Sequence, residues 1–398
     1  LERAVELGKR AAAIIDRMLL DEPDRREYWQ DTSAQTLNNL ANASGSLYFT
    51  TKQRRFLMES IDAYERALKV LSRERVPLDW VIVQFNLAGN FMMLGEGGVN
   101  PDQLRQAIEA QEAVQTVWTR QDHPVRWAMS MTEIGRAKSI LGETQQNRQL
   151  IDEAILSFQR SLEVLTEAET PLDWALTQDS LADAYSQRAV LSKDQEDARK
   201  SLAASQEALK VYTLDKTPRL WARTMHDMAV HIVENSPPEK QRNNLLKALA
   251  VYEQIIAALD PDSQLNEYGL SAGNAALTQI DIGMIDKDAA RVEGAIADLR
   301  GLVGLYARHD RKLDAAKQAV SAAESLTKLG KMRERADEYE EALDAFQQAA
   351  QMFREADATD QADKIPARLA YAYGEIGYRK LLAGDIAGGV AARQAALN

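Results

Sequence analysis

The sequence predicts an all-α chain: an α-solenoid of about eight helix pairs preceded by one N-terminal helix. Three observations carry that prediction. The 398 residues hold only 20 Gly and 10 Pro, well under the usual combined share of about 12%, which leaves few turns for the short strands of a sandwich or barrel. The pattern Pro-x-x-Trp occurs four times, at Pro77/Trp80, Pro124/Trp127, Pro171/Trp174 and Pro218/Trp221, each 47 residues after the last. Two columns of small-apolar pairs keep the same period through most of the chain. A fixed period of this length marks a repeat array, which replaces the two or three domains that length alone would suggest.

The N-terminal stretch 1–20 reads as a lone second-type helix, where the second column starts at Ala13-Ile14. That column continues through Ser60-Ile61, Ala107-Ile108, Ala154-Ile155, Ser201-Leu202, Ala248-Leu249, Ala295-Ile296 and Ala342-Leu343 to Gly389-Val390, with no net insertion. The first column runs Leu40-Ala41, Leu87-Ala88, Ile134-Gly135, Leu181-Ala182, Met228-Ala229, Ala275-Ala276, Ala322-Ala323 and Leu369-Ala370. Each unit therefore contains two helices. In Thr170-Pro171-Leu172-Asp173 a capping Thr, a Pro at the first helical position and an acid in the first turn predict a helix start. Trp174, Leu181 and Tyr185 carry that helix to about Ala189 at intervals of seven and four. The preceding second helix, about Leu150 to Leu165, aligns Ile151, Ala154, Ile155, Phe158, Leu162 and Leu165 on one face. Gly95-Glu96-Gly97-Gly98 and Ser236-Pro237-Pro238 read as loops.

Residues 1–398 thus form a single array: the helix 1–20, Trp-containing repeats one to five over 21–260, and Ala-rich repeats six to eight over 261–398. The Trp position is Ser33 in repeat one, Tyr268 in repeat six, Ala315 in repeat seven and Ala362 in repeat eight. A large ring fixed at one register position fills the gap between stacked helix pairs. Trp29 and Trp118 lie off that column and are candidate surface anchors. Small residues in the last third allow either closer helix approach or looser packing.

Leu181-Ala182-x-x-Tyr185 followed by patterns such as Ser60-Ile61-x-x-Tyr64-x-x-Ala67-Leu68 resembles the tetratricopeptide signature over essentially the whole chain. The family unit is about 34 residues; here it is 47, with the extra length in the Trp-bearing start of the first helix and in the loops. The resemblance implies a right-handed solenoid whose first helices line a concave face. Long units opened by Pro-x-x-Trp resemble those that bacterial signalling proteins attach to effector domains. An attached effector domain is therefore expected of a full-length chain, and a sensor or autoinhibitory module is the alternative function.

Composition and motifs exclude several function classes. The net charge of −12 disfavours nucleic acid and anionic membranes, which select basic patches. The basic runs Lys52-Gln53-Arg54-Arg55 and 331–335 are short and lie among acids. No apolar run approaches the roughly 18 residues of a membrane span. The absence of cysteine removes thiolate chemistry and fits a reducing, cytoplasmic setting. His226 and His231 lie five apart, about 140° around a helix, a poor metal pair. Gly95–Gly98 lacks the features of a phosphate cradle, and no Gly-x-Ser-x-Gly elbow appears. Neither an enzyme nor a cofactor site is expected.

A protein or peptide partner is expected instead, bound on the first helices. The exposed positions should lie five and two before, and two after, the apolar residue of the first column. They are Gln35, Asn38 and Asn42 in repeat one; Ile82, Phe85 and Gly89 in repeat two; Met129, Thr132 and Arg136 in repeat three. Repeat four supplies Leu176, Asp179 and Asp183, and repeat five supplies Arg223, His226 and Val230, with His226 facing groove or solvent. The apolar Ile82, Met129 and Leu176 are expected to pack. The family's clamp for a C-terminal carboxylate needs Lys and Arg beside Asn; only Asn38, Asn39 and Asn42 are offered here.

Overall fold

Proline sets the starts of four first helices. In the computed structural model, which describes residues 1–51, 53–98 and 100–397, Pro77, Pro124, Pro171 and Pro218 each open a helix. There the missing N–H costs nothing and the fixed φ suits the helix. Among the described residues the structure is helical throughout, without strands.

The chain divides into two units, Leu1–Val211 and Tyr212–Asn398. The first unit contains α1 (Glu2–Asp21), α2 (Arg26–Thr51), α3 (Arg54–Val70), α4 (Pro77–Gly98), α5 (Pro101–Gln115), α6 (Pro124–Thr144), α7 (Arg148–Leu162), α8 (Pro171–Ser192) and α9 (Gln195–Ala208). The second contains α10 (Pro218–Glu234), α11 (Gln241–Ala258), α12 (Leu265–Asp286), α13 (Ala289–Arg308), α14 (Lys312–Arg333), α15 (Asp337–Glu355), the single turn α16 (Thr359–Ala362), α17 (Ile365–Leu382) and α18 (Ile386–Ala395). Within each unit consecutive helices pack on one another, and first helices of neighbouring repeats also meet, α4 with α6, α6 with α8, α10 with α12 and α12 with α14.

Both register columns form the core. Ala41, Ala88, Ala182, Ala229, Ala276 and Ala323 of the first column are buried, as are Ser60, Ala107, Ala154, Ser201, Ala248, Ala295 and Ala342 of the second. The first turn of the array departs from the register. In α1 the buried stripe is Val5, Ala12 and Ile15, while Ile14 is 63% exposed, because α1 packs mainly on α2. At the other end Val390 is also exposed.

Other expectations are corrected in detail. Gly95–Gly98 is not a loop: α4 continues to Gly98, and a Cβ at Gly95 would stand 2.6 Å from Leu104. Here glycine serves close helix packing. Leu165 lies beyond the end of α7 yet is buried. Thr170 does hold the cap position of α8, but its hydroxyl gives the helix no hydrogen bond. It accepts instead from the Thr166 N–H at 3.0 Å, closing the preceding loop, and Thr217 repeats this with Thr213 47 residues on. Lys52 of the first basic run lies outside the described residues.

Trp118 is no surface anchor; it is 6% exposed and its ring lies 5.5 Å from that of Phe85, tilted by 57°. It belongs to a third column at the same period, Leu71, Trp118, Leu165, Tyr212, Leu259, Tyr306 and Phe353, all buried. Trp29 is half-buried, its indole N–H donating to Glu22 at 3.0 Å. In the Pro-x-x-Trp column Trp174 is buried, and Trp80 packs on the cluster of Val81, Val114 and Trp118.

Candidate functional site

The first helices of the first unit carry three depressions on the side where neighbouring first helices meet. One of about 410 Å³ lies between α2 and α4, lined by Gln35, Asn38 and Asn39 with Ile82 and Val83. A small one, about 30 Å³, is bounded by Phe85, Met129, Thr132 and Leu176. The third, about 200 Å³, lies between α6 and α8 and gathers Arg136, Ser139, Asp183 and Gln187 over Phe158. Their linings are mixed: amides in the first, apolar groups in the second, opposite charges in the third.

The repeat type follows from how each pair closes. The small residue of a first helix meets the side chains of its second helix: Ser60 donates its hydroxyl to the Ala41 carbonyl at 2.7 Å, and a Cβ at Gly135 would stand 2.6 Å from the Phe158 ring. That small-against-large contact, in pairs recurring every 47 residues, decides the architecture. The chain is an all-α array of paired-helix repeats.

No family model and no curated protein matches this repeat chain. Solved structures similar to it include a Rap protein complexed with competence and sporulation factor, 10% identical, TM-score 0.46, covering 94% of this chain and 99% of that one. A signal transduction ATPase with a tetratricopeptide sensor from Pyrococcus horikoshii is 14% identical, TM-score 0.31, covering 84% and 52%. Yeast Tom70 is 12% identical, TM-score 0.23, covering 92% of each chain.

The ten predicted partner-binding residues of this helical-repeat chain separate by burial. Gln35, Asn42 and Arg223 are exposed; Asn38, Phe85, Arg136 and Asp183 are half-buried. Thr132, Asp179 and His226 are buried, at 3%, 5% and 5% exposure, so the exposure expected of the position two before the apolar residue is corrected there. For Thr132 and His226 the physical reason is the close approach of the next first helix within the same unit. Thr132 Oγ1 meets Thr177 Oγ1 at 2.9 Å and Ser161 Oγ at 2.8 Å. His226 Nδ1 lies 3.2 Å from Ser271 Oγ and its Nε2 3.2 Å from Asn274. Thr132–Thr177 and His226–Ser271 are the same link, one repeat to the next, with an offset of 45. His226 therefore faces neither groove nor solvent; burial lowers its pKa to about 4.

Of the remaining residues, Asn42 Oδ1 accepts from the Tyr64 hydroxyl at 2.7 Å, and Arg136 pairs with Glu133 at 3.1 Å. Asn38 differs from both: its Oδ1 is buried and has no hydrogen-bond partner. Ile82, expected to pack, is 44% exposed at the rim of the first depression. Asn39, named only for the carboxylate clamp, lines one depression, and Gln187 lines another without having been predicted. Each lies four residues beyond a predicted position, Gln35 and Asp183, so the helical spacing that locates them is in the sequence.

Proposed function

We propose that this chain is a binding scaffold without enzymatic activity, and that it holds an extended peptide segment of a protein partner along α2, α4, α6 and α8. The observation that carries the reading is the orphan acceptor at Asn38. A buried oxygen without a partner costs about 1–3 kcal/mol, and an N–H donated by a peptide backbone would satisfy it. Gln35 and Asn39 beside it offer further donors and acceptors in the pattern that polar recognition of a main chain requires. Ile82 and Val83 supply an apolar wall, and the Arg136–Asp183 depression a second, charged contact.

The acidic charge supports a protein partner over nucleic acid. Among the described residues no helix is long and apolar enough to cross a membrane. The register runs through Val211–Tyr212 without insertion, which supports reading 1–398 as one repeat array.

Peptides selected against the intact chain from a random library test the reading. Binding should fall at least tenfold in the combined variant Q35A, N38A, N39A, with helicity by circular dichroism unchanged. Selected peptides that bind this variant as tightly as the parent would place recognition elsewhere.

A further inference from the structure

The Ala-rich repeats contain a cleft that the first-helix face does not explain. It opens between the second helices α11 and α13, is floored by α12, and has a volume of about 450 Å³, within the range of small-molecule sites.

Register comparison shows why it exists. Ala275 stands where other repeats place Leu40, Leu87, Ile134, Leu181 and Met228, and Ala272 where Met131 and Met225 stand. Gly301 stands where Arg66, Arg160, Glu207 and Gln254 carry long side chains and repeat two carries Ala113, and a Cβ there would meet nothing within 4 Å. Shortened side chains on the floor and wall leave the volume empty. Truncation alone could have been closed by helix approach, as happens in repeat seven. There Ala316, Ala319, Ala322 and Ala323 are buried and α14 packs closely on α13 and α15.

The cleft also carries an acid where repeats one to four of this column hold buried small residues. Asp298 follows Ala63, Ala110, Ser157, Ala204 and the partly buried Val251, and only Asp16 of the N-terminal helix is another acid in the column. Glu253 of α11 lines the same cleft, and Tyr268, Leu302 and Leu305 form its apolar surface. Arg308 lies at the other end, ten residues and about 15 Å along α13. Glu253, Asp298 and Arg308 make no ion pair or hydrogen bond among the described residues.

We propose that this cleft binds a small amphipathic cation, with an ammonium group at Glu253 and Asp298 and an apolar body over Ala272 and Ala275. Two unpaired carboxylates across one opening favour a cation, and the distance to Arg308 leaves their field uncancelled. Withdrawal of solvent by the cleft walls raises the pKa of Asp298, a cost that an incoming ammonium would relieve.

Isothermal titration of the intact chain with phenethylamine, 2-phenylethanol and 3-phenylpropionate tests the assignment. The amine should bind saturably and at least tenfold more tightly than the alcohol or the acid. D298A should weaken the amine at least tenfold. A275L, which restores the residue type of repeats one, two and four, and G301Q, which restores that of repeat five, should each abolish binding. The assignment is overturned if the amine shows no saturation, if the carboxylate binds as well or better, or if both filled variants bind like the parent. G301Q keeps the test decisive should A275L fail to fold, since its new side chain starts in open space.

Discussion

Arg188 grips Asp197 with two hydrogen bonds, Nε to Oδ2 and Nη2 to Oδ1, both 2.7 Å, while its Nη1 donates to Asp152 at 2.7 Å. One guanidinium thus ties α8 to α9 and α7. The two acids are not equivalent. The side chain of Asp197 is 5% exposed and that of Asp152 43%, so removing the first loses two hydrogen bonds made away from solvent and removing the second only one made beside it. D197A should destabilise the first unit by about 2 kcal/mol, below the 3–5 of a fully buried pair because Arg188 retains Asp152. D152A should cost under about 1 kcal/mol. Urea unfolding of the two variants checks the order; equal effects would show that the bidentate geometry contributes nothing.

His226 makes stability depend on pH in a defined window. Burial lowers its pKa from the ordinary 6.5 to about 4, so the unfolded chain binds a proton more readily than the folded one. Its contribution is complete above about 6.5 and is lost as pH falls toward 4, a change of up to about 3 kcal/mol. H226Q keeps a polar group near Ser271 and Asn274 but removes the titration. Thermal melts from pH 7 to 4.5 should fall less steeply for H226Q than for the parent. Parallel slopes would mean that carboxylates alone set the acid limb.

The third column predicts the cost of losing Trp118. Its ring is 6% exposed and packed with Val81, Val114 and Phe85, so W118A should cost about 3–5 kcal/mol. W29A, losing one half-buried ring and its bond to Glu22, should cost distinctly less. Denaturant midpoints of the two variants decide whether both Trp residues are equally structural.

Much of the architecture was legible because a repeat shows the same physical problem several times. Pro at the first helical position and alanine opposite an aromatic recur with a fixed offset, so helix pairs and the two core columns follow from arithmetic. Trp118 was misread for want of the same arithmetic: Leu71, Leu165 and Tyr212 stand on its register, but their side chains differ while their burial does not. The groove was less legible. Sequence spacing gives the face of an isolated helix, yet Thr132 and His226 are covered by the next first helix, and how closely two helices approach depends on packing across repeats. Asn38 is only half-buried, with its Oδ1 covered, because the first helices of repeats one and two leave a depression beside it. The repeat-six cleft was less legible still: Ala275 breaks a column of large apolar residues only together with Ala322, and Asp298 shares its column with Asp16, so neither position marks a cleft by itself.

Four non-glycine residues, Gln146, Lys193, Lys287 and Glu334, have φ between 50 and 56° and fall on one register position after a first helix. A side chain in this left-handed region costs about 1–2 kcal/mol, which glycine avoids. Glycine adds about 0.5–1 kcal/mol of unfolded-state entropy, and loss of a lysine near a helix C-terminus removes a few tenths more. The balance leaves K193G and K287G neutral to stabilising by about 0.5 kcal/mol. Lys240 holds the same register position with φ −111°, where only the entropic cost applies. K240G should therefore destabilise by about 0.5–1 kcal/mol. Opposite signs in the denaturation midpoints of K287G and K240G would establish that backbone strain sets the preference; destabilisation of both would show that the lysine side chains, not the backbone, hold these turns.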